Sequence, residues 1–171
     1  MNIEMVKDEP RMVPGCFEII GDCKGLTNKE WLQLRKSGIG GSEAGKLLGY
    51  SKYGSPLSVF TEKKSDEIIE LDNKHIHYGN RMEPVIRDWL NEDGYNASEY
   101  PFMMRSTDHP FMTANIDGLA EKDGVLYGLE IKTASDMMLD KWQGDEIPDE
   151  YYCQVQHYMA VTGLEGFYIA H

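Results

Sequence analysis

The chain has 171 residues, of which 41% are hydrophobic, enough for one domain with its own core. No run approaches the roughly 20 apolar residues of a membrane helix, the opening residues do not read as a signal peptide, and from three cysteines without a CxxC pair neither a disulfide framework nor a zinc site follows; a reducing, cytoplasmic setting is expected. The net charge of −12 argues against general nucleic-acid affinity.

That charge is unevenly placed. Residues 1–87 hold 13 Lys/Arg and 13 Asp/Glu, while residues 88–171 hold 4 and 16. A nucleic-acid path would follow the first half and cations the second; otherwise the acidic surface serves solubility. In chain order, residues 1–25 read as an arm or edge segment, with scattered Gly and Pro and weak periodicity. Thr27 and Glu30 form a capping-box pair that predicts a helix over 28–37. Gly38-Ile-Gly-Gly41 breaks it, a short helix restarts at Ser42, and another is expected over 56–64. Residues 65–77 are polar and read as a loop. A helix follows over about 80–91, then strands over 98–105, 111–118 and 125–132, a helix over 149–162 and a strand over 167–170. This order predicts an α/β (α+β) domain over 26–171, with a mixed central sheet flanked by helices.

The chemistry concentrates at Asp117 and at Glu130-Ile131-Lys132. Asp123-Gly124 between apolar runs is a hairpin signal, and such a hairpin brings Asp117 and Glu130 together. Paired carboxylates repel, and a bound cation resolves that repulsion. Mg²⁺ takes one or two carboxylates and keeps several waters. Lys132, two residues after Glu130, projects from the same strand face. An ammonium there suits phosphodiester hydrolysis, because it can position the attacking water or stabilise charge on the phosphate. The alternative is ordinary: acid and lysine at this spacing also decorate solvated sheets. Leu129 and Ile131 alternate with the charged pair, which therefore faces away from an apolar layer.

Gly40 to Leu47 nearly matches a phosphate-binding P-loop, but Leu47 replaces the required hydroxyl and the loop follows a helix rather than a strand. A glycine turn opening a helix still offers free N–H groups to an anion, and Arg35 and Ser42 flank it. The alternative is that the glycines serve only a sharp helix connection. Asn80 and Glu83 could form a capping box with Pro84 in the first turn. Tyr151, Gln154 and Tyr158 share one helix face, while Tyr152, Val155 and Met159 read as core. His75 and His77 read as solvated loop residues, and Trp31, Trp89 and Trp142 as core or rim aromatics.

The series Arg35…Ser42, Leu48…Pro56, Tyr78…Glu83-Pro84, Asn115-Ile-Asp117-Gly118, Glu130-Ile-Lys-Thr133 and Tyr151-Tyr-Cys-Gln154-Val-Gln156 resembles the YqaJ-type viral recombinase domain, the family of phage lambda exonuclease, within the PD-(D/E)xK nuclease superfamily. The resemblance covers about residues 26–171. It implies a Mg²⁺- or Mn²⁺-dependent 5′-to-3′ exonuclease on double-stranded DNA ends, of phage or prophage origin and acting in phage-type recombination. Asp117, Glu130 and the Ile131 carbonyl would hold the metal, with Glu83 assisting. Lys132 and Gln154 would flank the scissile phosphate, and Arg35 and Ser42 would hold the 5′ phosphate with Tyr151 on the substrate path. It also implies a single-strand annealing partner, a homo-oligomer (a trimer), and relatives that continue past the last strand, which makes this chain a minimal or truncated version. The family commonly has Ser-Pro-Asp where this chain has Asn115-Ile116-Asp117. Related nucleases with an iron–sulfur cluster need four cysteines, one more than this chain has. An endonuclease with the same metal core and a non-catalytic DNA-binding or assembly module are the alternatives.

Overall fold

The computed structural model describes residues 12, 15–70, 73–133 and 146–171. Its elements run β1 (Phe17–Asp22), α1 (Asn28–Arg35), α2 (Gly41–Leu48), α3 (Pro56–Lys64), α4 (Lys74–Glu92), β2 (Ala97–Ser98), β3 (Phe102–Ser106), β4 (Thr113–Ala114), β5 (Gly118–Lys122), β6 (Val125–Ile131), α5 (Asp149–Thr162) and β7 (Phe167–Ala170). The expected mixed α/β architecture is present, with five helices and two sheets among the described residues.

The first sheet has the order β1-β3-β4, antiparallel throughout. The second has the order β2-β5-β6-β7; β7 joins β6 in parallel while the other pairs are antiparallel. The hairpin β5–β6 closes on Asp123 and Gly124, both at positive φ (55° and 77°), with Lys122 opposite Val125. Two left-handed residues match the twist of paired strands, which is why Asp-Gly serves there. Continued by one step, this register sets Asp117 level with Glu130, because Gly118 faces Leu129.

Two apolar layers cover the second sheet. On one side Met104, Ala114, Ile116, Leu119, Tyr158, Val161 and Leu164 join the two sheets to α5. On the other, Ala97, Ala120, Leu129 and Ile131 pack under Ile86 and Leu90 of α4. The β6 strand is therefore covered on both faces. Glu130 and Lys132 do face away from the Leu129–Ile131 layer, yet they point into the body of the protein.

Several expected boundaries shift. Residues 17–22 of the expected arm form β1, an edge strand held by β3. The α4 helix begins at Lys74, capped by the Asn73 side chain through the amides of His75 and Ile76 at 3.0 and 3.1 Å. Accordingly His75 and His77 are helical, Pro84 lies inside the helix rather than in its first turn, and Glu83 is not a capping residue. The strand expected over 111–118 is interrupted after Ala114 and resumes at Gly118 in the other sheet. Tyr152 is exposed rather than core, and Trp89, expected in the core or at its rim, is 56% exposed. Trp142, and Ala134 and Ser135 just beyond β6, lie outside the described residues.

Candidate active site

The break after Ala114 places Asp117 outside strand pairing. Its Oδ2 instead accepts the Ile131 amide at 2.7 Å, and its carbonyl accepts from Arg87 Nη1 at 3.1 Å. The aspartate thus caps the end of β6 and sits beside Glu130. Glu130 is only 2% exposed. Its Oε1 lies 2.5 Å from Lys132 Nζ and accepts from Gln154 Nε2 at 2.7 Å. Gln154 Oε1 in turn accepts from Lys132 Nζ at 3.0 Å, and Gln154 Nε2 reaches the Tyr158 hydroxyl at 3.0 Å. The Tyr151 ring lies 4.9 Å from the same ammonium. Strand and helix therefore bring Asp117, Glu130, Lys132, Gln154 and Tyr151 together, with Gln154 buried.

One atom stands apart. Glu130 Oε2 is buried and has no hydrogen-bond partner, and an unsatisfied buried carboxylate oxygen is costly. Burial pushes the Glu130 carboxyl up to about 8, helped by the Asp117 charge and opposed by Lys132. Burial likewise raises Asp117, against the Ile131 hydrogen bond, Lys132 and Arg87. Glu83 rises to about 7 from burial and then the Asp117 charge, with Arg87 opposing. Burial pulls the Lys132 ammonium down, but the charge and hydrogen bond of Glu130 outweigh it and the net shift is upward. Three carboxyls thus share a region with too little positive charge.

These residues fit a hard divalent cation: two adjoining carboxylates, one with an oxygen left without a partner, offer oxygen ligands only. Glu83 is less directly placed. It pairs with Arg87 at 3.8 Å, feels the charge of Asp117 and in turn acts on Glu130; no cluster of three His, Cys, Asp or Glu suited to a metal occurs among the described residues.

The glycine turn lies against this centre. Gly41 opens α2 so close to the Tyr158 ring that any side chain there would collide with it. That approach sets α2 on α5 and brings Arg35 and Ser42 to the same cavity as Asn115, Asp117, Glu130 and Gln154, a space of about 220 Å³. Arg35 Nη2 donates to Ser42 Oγ at 2.8 Å and the guanidinium lies 4.7 Å from the Trp31 ring centre. Trp31 Nε1 donates to Asn115 Oδ1 at 2.7 Å, so Trp31 is a pocket wall and Asn115 has a defined orientation.

A profile of the YqaJ-like viral recombinase domain matches residues 30–165. The chain belongs to this family. It is 29% identical over 150 residues to the protein YqaJ of Bacillus subtilis (strain 168), covering 86% of this chain and 46% of that protein; the chain thus spans less than half the length of this relative. Its fold is similar to that of an alkaline exonuclease (LHK-Exo) from Laribacter hongkongensis, with a TM-score of 0.63, 23% identity, and coverage of 80% of this chain and 70% of the other. The structure of the same enzyme in complex with dAMP matches with a TM-score of 0.64 at 22% identity. The fold is that of the PD-(D/E)xK type, as expected for the YqaJ-like family.

Sequence reading passed over Glu43, Lys63 and Arg87. Glu43 is 2% exposed and pairs with Lys63 at 2.8 Å and Arg35 at 3.5 Å. Its position three residues after Gly40 carried a capping signal, and Arg87 follows Glu83 at i+4 spacing. Nothing in the local pattern marks Lys63.

Proposed function

We propose that this YqaJ-like domain is a Mg²⁺- or Mn²⁺-dependent deoxyribonuclease that degrades double-stranded DNA from a 5′ end, in recombination of the phage type. One observation carries the reading: a single cavity is lined by Asp117 and by Glu130, whose Oε2 is buried without a partner, together with Arg35 and Ser42. An alkaline exonuclease of the same fold has been solved with dAMP, a deoxynucleoside monophosphate, which supports a nucleotide at such a site.

Asp117, Glu130 and the Ile131 carbonyl would hold the cation, with Glu83 assisting from α4. The cation would supply acidification of the attacking water and neutralisation of charge on the phosphate. Lys132, fixed between Glu130 and Gln154, orients that water and meets the developing negative charge. Gln154 keeps its own carbonyl on the ammonium and so holds the lysine in place. Tyr151 backs the ammonium at the substrate side. Arg35, Ser42 and the amides opening α2 receive the terminal phosphate, which carries nearly two charges against one for an internal diester. Double-stranded DNA ends are thus the substrate. A single-strand annealing protein, a homo-oligomer (a trimer) and a cytoplasmic setting in a bacterial host complete the proposal. Among the described residues no helix is long and apolar enough to cross a membrane.

The test is a degradation time course on 5′-phosphorylated, 5′-hydroxyl and covalently closed circular duplexes, with EDTA or with added metal. Mg²⁺ or Mn²⁺ should support loss of the phosphorylated linear duplex first, circles should persist, and Ca²⁺ should bind without turnover. Rapid cutting of circles would make the protein an endonuclease. Full activity in EDTA would remove the metal from the account.

A further inference from the structure

Glu43 is a buried carboxylate with no role in the chemistry above. Its Oε2 accepts the Gly40 amide at 2.8 Å, which is all that a helix-capping acid requires. The other oxygen does more. Oε1 lies 2.8 Å from Lys63 Nζ on α3 and 3.5 Å from Arg35 Nη2 at the end of α1. Lys63 Nζ also donates to the Arg35 carbonyl at 2.8 Å. One carboxylate, 2% exposed, therefore ties three helices together at the residue read as the phosphate holder.

We infer that Glu43 is a positioning residue for end recognition: it fixes the Arg35 guanidinium, together with Ser42 and the Trp31 ring, in the orientation that receives a 5′-terminal phosphate. This rests on the reading of Arg35 as the phosphate-holding group. An arginine side chain loses much rotamer freedom when it binds an anion; a buried partner on one edge, Ser42 on another and an aromatic face remove that freedom beforehand. The charge count fits as well. Two cations around one buried carboxylate leave one net positive charge on this wall of the cavity, matching the extra charge that separates a terminal phosphate from an internal diester.

The experiment compares kcat/KM for 5′-phosphorylated and 5′-hydroxyl duplexes in the wild type, Glu43→Gln, Arg35→Ala and the double variant, with thermal unfolding as a check on folding. Glutamine can keep the Gly40 hydrogen bond through its oxygen, and it then sets an NH2 toward Lys63 and Arg35, removing both the charge and the acceptor that hold them. The wild type should prefer the phosphorylated end by about tenfold or more, as expected for one charge-assisted contact. Glu43→Gln should lower that preference below about threefold, and should change it no further in the Arg35→Ala background, because the two residues act as one unit. A wild-type preference in Glu43→Gln, or an equal further loss in the Arg35→Ala background, would make Glu43 a helix cap only. Should Glu43→Gln fail to fold, Glu43→Asp asks the same question: the shorter carboxylate keeps the charge but withdraws from Arg35, and the preference should fall; an unchanged preference overturns the inference. Absence of any preference in the wild type fails the Arg35 reading itself, before any substitution is compared.

Discussion

The two walls of the cavity solve their electrostatics in opposite ways. At the glycine turn, buried Glu43 has Arg35, Lys63 and the Gly40 amide around it, so every charge has a partner inside the fold. At the end of β6, Glu130 shares one lysine with Gln154, keeps a buried oxygen without a partner, and its carboxyl is driven up to about 8. The first wall carries two cations on one carboxylate, an excess of positive charge. The second is short of positive charge, and burial of unpaired acid costs stability. A protein retains such a deficit where an external cation makes it good. The difference separates two kinds of site: the first wall has a cation in excess, and the second a buried carboxylate oxygen without a partner.

Removing the acid should break this contrast most severely. Glu130→Ala should abolish metal binding and lower cleavage by at least about a hundredfold, since a catalytic cation contributes several kcal/mol; calorimetric metal titration and single-turnover cleavage measure the two losses together. Lys132→Ala should separate them. It should leave metal binding in place and slow the chemical step by about a hundredfold, the scale of a positioned acid–base group. Wild-type cleavage by this variant would reduce the Glu130–Lys132 contact to a structural ion pair.

The cation-rich wall should respond more mildly. Arg35→Ala should slow degradation of 5′-phosphorylated duplex by about tenfold, from loss of one charge-assisted contact, and should largely erase the difference from the 5′-hydroxyl substrate. Equal rates for the variant and wild type on the phosphorylated end would leave the glycine loop a structural turn.

The smallest effect is a pH dependence that distinguishes the walls without mutation. Glu83 and Glu130 ordinarily titrate near 4.5 but reach about 7 and about 8 in the fold. Between those limits the folded chain holds protons that the unfolded chain has released. Stability in EDTA should therefore fall as pH rises from 5 to 9. Mg²⁺ should raise the Tm more at pH 8 than at pH 6, because at higher pH it competes with fewer protons. A metal effect independent of pH would contradict the carboxylate assignment.

Much of this was legible in the sequence, for local reasons. The Thr27–Glu30 capping box fixed the start of α1, Asp123-Gly124 fixed the hairpin, and strand alternation put Glu130 and Lys132 on one face. Helical spacing put Tyr151, Gln154 and Tyr158 together. The failures were non-local. The β1 strand pairs with β3 some eighty residues away, and Glu18, Gly21 and Asp22 weaken its own alternation. The α4 helix begins six residues earlier than periodicity suggested, because Asn73 caps a polar first turn that carries no apolar pattern. The Asp117 segment reads as strand until its carboxylate is seen to take the Ile131 amide. The burial of Glu130 could not be read from alternation, which shows only that two faces differ and not that both are covered. The links from Glu43 to Lys63 and from Arg87 to the Asp117 carbonyl join residues 20 and 30 positions apart, where no spacing rule applies.

The most direct test of the central claim is calorimetric titration of Mn²⁺ into the wild type and Glu130→Ala near pH 7.5, in two buffers of different ionisation enthalpy. A carboxylate pair that awaits a cation should bind Mn²⁺ and release roughly one proton per ion in the wild type, and should show neither in Glu130→Ala. Equal binding by the two proteins, or no binding by the wild type, would contradict it.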